Sequence, residues 1–118
     1  MRTNLAFFAV LALTGIACGD DSTSSSSTDL CAGSGAAATV TVADNYTYTP
    51  DTVTITVGQS VCWQNTGQLM HTVTEYLGRF NGSLPGGQTF VRTFTSSGSI
   101  PYSCQQHSNM SGTVIVNP

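Results

Sequence analysis

The sequence predicts an all-β fold, an antiparallel Greek-key sandwich or barrel, on three observations. From Cys31 onward apolar residues recur with a period of two, turn-forming residues separate the short runs, and no useful stretch carries the apolar spacing of an amphipathic helix. Composition agrees. Of 118 residues only 8% are charged, Thr, Ser and Gly are plentiful, and lysine is absent. Such a chain resembles exported β-rich domains more than helical cytosolic ones.

The runs follow in order. Val40 and Val42 alternate with Thr, as do Val53, Ile55 and Val57 in TVTITV. Val61 and Trp63 flank Cys62, which therefore points to the opposite face from them. Thr72-Val73-Thr74 begins another strand, Phe90, Arg92 and Phe94 share a face opposite Val91, and Val114 and Val116 close the chain. Between them lie Thr49-Pro50-Asp51, Gly58-Gln59, Asn65-Thr66-Gly67, Asn81-Gly82, Pro85-Gly86-Gly87 and Ser97-Gly98, all turn chemistry. Residues 75–80 are compatible with a single turn of helix. Residues 31–118 suffice for one small domain and not for two.

The N-terminus reads as an address. Arg2 precedes an apolar run, Leu5 to Leu13, too short to span a bilayer, and Ala17 stands just before Cys18. We expect residues 1–17 to be a signal peptide, Cys18 to carry lipid, and residues 18–30 to be a Ser-rich tether with no capacity for a core. The expected location is the periplasm or cell surface of a bacterium, membrane-anchored through that lipid. Only three residues are basic and the formal net charge is −3, which excludes a phosphate-tracking surface for nucleic acid. The absence of C-x-x-C and C-x-x-C-H disfavours a thioredoxin-like site and covalent haem.

Chemistry concentrates near the C-terminus. Cys104, His107 and Met110 lie within seven residues, in a tight loop before the last strand, and His71 lies where an earlier strand begins. One thiolate, two imidazoles and one thioether form a soft to borderline donor set. That set suits copper better than calcium or magnesium, and a thioether is a poor zinc ligand. Taken singly, His71 reads as a packed histidine, Cys104 as an inert buried thiol and Met110 as core. Their order and spacing in a β-rich exported chain favour a metal site.

From Ala37 to Pro118 the chain resembles the cupredoxins, the blue type 1 copper proteins. Tyr48-Thr49-Pro50 is similar to the family's aromatic-x-Pro step, and Val53-x-Ile55-x-Val57-Gly58 with Val61-Cys-Trp63-Gln-Asn65 to its G-x-x-V-x-W-x-N segment. His71-Thr-Val73 stands where the first ligand is expected, and Gly98 through Met110 and Gly112 resemble the ending of plastocyanin- and amicyanin-like members, with the short C-x-x-H-x-x-M spacing similar to amicyanins, whereas plastocyanins have a longer gap before Met. The resemblance implies one type 1 copper held by His71, Cys104, His107 and Met110, with His107 as the more exposed ligand and the place where transient redox partners dock. Three departures stand out. Thr72 replaces a common Asn that ties the ligand loops together, Pro101 suggests an edge or bulge, and Gln105, Gln106 and Ser108 make the loop polar.

With Cys18 lipidated and Cys104 on the metal, Cys31 and Cys62 remain, and export favours a disulfide between them. The expected function is single-electron transfer by a monomeric carrier and not an enzyme, since four closed positions leave no room for substrate. The strongest rival is a copper-delivery or sensing protein using the same ligands. A Cys-His hydrolase would need an orienting third group and an oxyanion hole, and nothing in the sequence supplies either. A binding module on the same fold with an incidental metal is the remaining alternative.

Overall fold

The computed structural model describes residues Asp29–Pro118; the expected signal peptide, the Cys18 anchor and nearly all of the tether lie outside the described residues. Among the described residues there are nine strands and no helix. They are β1 (Ala38–Ala43), β2 (Thr47–Thr49), β3 (Thr52–Thr56), β4 (Ser60–Asn65), β5 (His71–Glu75), β6 (Asn81–Leu84), β7 (Thr89–Thr93), β8 (Gly98–Ser103) and β9 (Ser111–Asn117). Two sheets form a sandwich. One has the order β2-β1-β4-β7 and the other β3-β9-β8-β5-β6.

The period-two pattern sends one face of β1, β2, β3, β6, β8 and β9 inward, whereas β5 and β4 beyond Ser60 are buried on both faces. Val40, Val42, Val53, Ile55, Val61, Val73, Val114 and Val116 are all buried. Each such side chain contributes about 1.5–3 kcal/mol by leaving water. Trp63 sits at the centre, fully buried, with ring centroids 5.7 Å from Phe90 and 5.3 Å edge-on from Tyr102. Val57 departs from the expectation. It lies beyond the end of β3 and is exposed, because the chain turns at Gly58, whose φ of 92° favours glycine.

The sheets are mixed rather than antiparallel. β1 runs parallel to β4 and β3 parallel to β9, while the other pairs are antiparallel. The cause is the path of the chain. After the β1–β2 hairpin it crosses to the opposite sheet for β3 and returns for β4, and those crossings supply the long connection that a parallel neighbour requires.

Residues 75–80 form a turn, with Gly78 N–H donating to the Glu75 carbonyl (2.8 Å). Glu75 Oε2 also accepts from the N–H groups of Leu77 and Arg79, both at 2.9 Å. Pro101 lies inside a sheet rather than at its edge, yet its position is locally edge-like. β5 pairs with β8 only at Tyr102 and Ser103, and the Pro101 carbonyl turns past its end to accept from Tyr76 N–H (3.2 Å). The missing N–H of Pro101 faces the same way, so the β8–β9 ladder loses nothing.

Cys31 and Cys62 are joined, with Cα atoms 6.1 Å apart. The bond pins the segment before β1 onto the outer face of β4. Gln64 Oε1 holds the same segment by accepting from Leu30 N–H (2.7 Å) and Cys31 N–H (3.2 Å).

Candidate metal centre

Three neighbouring strands of one sheet carry the site. Cys104 follows β8, Met110 precedes β9, and His71 opens β5, which pairs with β8. The pairing of Ser103 with Ser111 and the bond from Cys104 N–H to the Met110 carbonyl (3.0 Å) close the connecting loop. That loop must swing His107 towards the start of β5.

The result is a convergence of donors. Cys104 Sγ lies 3.9 Å from His71 Nδ1 and 3.5 Å from His107 Nδ1, and ligand atoms of the three residues all fall within 4.8 Å of one another. Three donors at about 120° around a shared centre, each roughly 2.0–2.3 Å from it, would be about 3.7 Å apart. The observed spacing fits an ion, and the thiolate–imidazole–imidazole set, with the Met110 thioether, fits copper. Met110 is buried at 2% exposure where the loop rejoins the sheet. Cys104 is the free cysteine among the described residues, and it is buried.

The surroundings hold these donors in place. Thr72 N–H donates to Cys104 Sγ (3.4 Å), which fixes the position of the sulfur beside β5. Thr72 Oγ1 accepts from Gln105 N–H (2.9 Å) and is hydrogen-bonded to Thr74 Oγ1 at 2.9 Å. The hydroxyl thus ties the two ligand segments together, the role the sequence had left in doubt when Thr replaced Asn. Beneath it, Tyr48 Oη donates to the Thr72 carbonyl (2.5 Å). Burial, with Cys104 and then Tyr102 nearby, pushes the Tyr48 phenol well above its usual range, so it remains a donor.

His71 is fully buried and His107 partly exposed, the order that the resemblance implies. Burial first, then the His107 ring, holds His71 below the usual histidine range, against opposing effects of Asp44 and the Ala43 carbonyl. That carbonyl acts on the ring without closing a hydrogen bond of good geometry, and His71 Nε2 is buried without a partner. A neutral imidazole is the form that can donate a lone pair to a metal. Gln105, Gln106 and Ser108 are exposed, so the rim of the ligand loop is polar as its sequence indicates. Half-exposed Tyr46 and exposed Leu69 and Met70 carry apolar surface on the neighbouring turns.

Two features were not found by reading the sequence. Tyr46 packs its ring against His107, and Asp44 caps the segment that leads into His71. Neither carries a motif; the only local signal is that both lie in the turn after Val42.

Comparisons with known proteins agree with this geometry. Residues 7–116 match the family described as Cupredoxin-like domain. Among solved structures, an oxidised proline-to-alanine mutant of amicyanin is 30% identical with a TM-score of 0.64, over 71% of this chain and 84% of that one. A reduced Cu(I) form of a proline-to-glycine mutant of amicyanin is 30% identical with a TM-score of 0.62, over 70% and 83%. A purple cupredoxin from Nitrosopumilus maritimus is 28% identical with a TM-score of 0.62, over 68% and 99%. No curated protein sequence matches the chain.

Proposed function

This chain belongs to the cupredoxin-like family, and on that premise we propose that it is an exported, mononuclear blue-copper protein that carries single electrons between partners. The observation that supports this most directly is the approach of His71 Nδ1 and His107 Nδ1 to one buried sulfur, Cys104 Sγ. Copper, when bound, supplies reversible one-electron chemistry between its cupric and cuprous states. Cys104 would give the thiolate, His71 and His107 the imidazoles, and Met110 the thioether.

The chain's own part is stiffness. Thr72 holds the sulfur through its amide and the loop through its hydroxyl, and Tyr48 fixes the Thr72 carbonyl. Donors held this way move little when charge changes, which favours transfer of an electron over capture or release of the ion. His107, the ligand partly open to solvent, is the exit we assign to the electron, and partners would dock there in small, transient encounters. Four protein donors leave no position for a substrate, so the protein is a carrier and not an enzyme. The disulfide between Cys31 and Cys62 fits an oxidising compartment, the periplasm or cell surface.

The test is the visible and EPR spectrum after addition of Cu(II), with Cys104→Ser alongside. An intense blue or purple thiolate band that disappears in the variant is expected. A colourless, weakly held copper would refute the type 1 site. Reversible cycling with copper retained is expected; release of Cu(I) to a chelating acceptor would favour delivery instead.

A further inference from the structure

We propose that the turn between β1 and β2 is an outer clamp on the metal centre, in which Tyr46 orients the His107 ring and Asp44 anchors the segment that delivers His71. The inference rests on the reading of the site given above. It concerns positioning residues that supply no ligand atom.

His107 is the starting point. A metal-binding histidine is ordinarily oriented by a hydrogen bond from its second ring nitrogen to a carboxylate, carbonyl or water. Among the described residues His107 has no such protein partner; its one contact within hydrogen-bond distance is Cys104 Sγ at 3.5 Å. The protein contacts that bear on its ring plane are therefore packing contacts. Tyr46 and His71 both have ring centroids 4.8 Å from that of His107, tilted by 57° and 53°. His71 is itself a ligand, so Tyr46 is the outside wall.

The backbone of Tyr46 is unusual. Its φ is 61°, in the left-handed region that a bulky side chain seldom adopts and that surrounding structure must enforce. The only other described residue besides glycine in that region is Asn109, also at 61° and immediately before Met110. The two line one groove of about 610 Å³ beside the ligand loop. Both non-glycine residues with positive φ among the described residues thus lie at the metal end.

Asp44 acts on the other ligand. Its Oδ1 accepts from the N–H groups of Gln68 (2.9 Å) and Leu69 (3.0 Å), the residues that lead into His71. A side chain on Gly67 would collide with the Asp44 carboxylate, so only glycine permits this close approach. One short turn reaches both imidazole-bearing segments. Tyr46 is 49% exposed, so it contributes less to the stability of the fold than a core aromatic would.

Three variants test this, in the metal-free and the Cu(II)-loaded protein: Tyr46→Leu, Tyr46→Phe and Asp44→Ala. In the metal-free protein, NMR of the His107 ring should show an aromatic ring-current shift in the wild type and Tyr46→Phe that Tyr46→Leu loses. Exchange of the Gln68 and Leu69 amides should quicken by about tenfold or more in Asp44→Ala. Cu(II) affinity should fall by about tenfold or more in Tyr46→Leu and be restored in Tyr46→Phe. Wild-type His107 shifts together with wild-type Cu(II) affinity in Tyr46→Leu would overturn the clamp. A wild-type protein without the thiolate band would instead overturn the function proposed above, and the metal-free NMR and exchange measurements would still decide the clamp.

Discussion

The bond between Cys31 and Cys62 should account for much of the stability of this small domain. Its partners are 31 residues apart in sequence, and the chain-entropy relation then gives about 3.7 kcal/mol at 25 °C. Small domains are stable by only about 5–15 kcal/mol in total, so the loss would be large. Replacing both cysteines by alanine removes little volume from Cys62 but frees the segment that Gln64 holds through Leu30 and Cys31. Guanidinium unfolding of the metal-free protein should show the loss directly, and the thermal midpoint should drop by about 15–30 °C. The thiolate band of the copper-loaded variant should keep its position, because the bond lies on the outer face of β4 and touches no ligand. A stability loss below about 1 kcal/mol would refute the argument that the cross-link restrains the unfolded chain.

Further outcomes follow from the same contacts. Thr72→Val keeps the shape but strands Gln105 N–H, so denaturant unfolding should show a loss of about 1–2 kcal/mol that Thr72→Ser recovers. Tyr48→Phe leaves the Thr72 carbonyl without its donor and should cost about 1–3 kcal/mol. Tyr102→Phe should be neutral, since Tyr102 Oη is buried near Trp63 Nε1 without closing a hydrogen bond; equal losses in the two variants would contradict this contrast. Arg79 first, with the N–H groups of Arg79 and Leu77, holds the Glu75 carboxyl at about 2 against an ordinary value of 4.5, despite burial. The unfolded chain therefore binds more protons between those values, so stability should fall as pH drops from 4.5 towards 2, and Glu75→Gln should flatten that part of the profile. Gly82→Ala should lower the unfolding midpoint, because the new methyl group lands on the Phe90 ring.

The strands were legible because half-buried β structure writes itself as alternation, and Val40, Val42, Val61 and Trp63 obey it. The candidate ligand residues were legible because a cysteine, a histidine and a methionine at short spacing, with a second histidine at the start of an earlier strand, have few other uses. Parallel pairing was not, since it depends on which sheet each crossing enters and leaves no local pattern. The role of Thr72 is not legible in the sequence for a related reason. A hydroxyl can replace an amide side chain when the partner, Gln105 N–H, lies close enough, and only geometry shows that. Tyr46 has no signal beyond its place in a turn, because its partner His107 is distant in sequence and the sandwich as a whole brings the two together.

The closure of the ligand loop has a consequence for how such a centre can change. Cys104, His107 and Met110 all hang on one hairpin connection, whose ends are fixed by the pairs Tyr102–Gly112 and Ser103–Ser111. Those pairs need none of the ligands. Doubling the length of a flexible loop costs only about 0.6 kcal/mol in closure entropy. Residues can therefore be added to or removed from this connection while β8 and β9 remain joined, and His71, on its own strand, stays where it is. The loop is thus separable from its scaffold: its length and composition can be rewritten in one short stretch of the gene while the paired strands beneath it stay as they are.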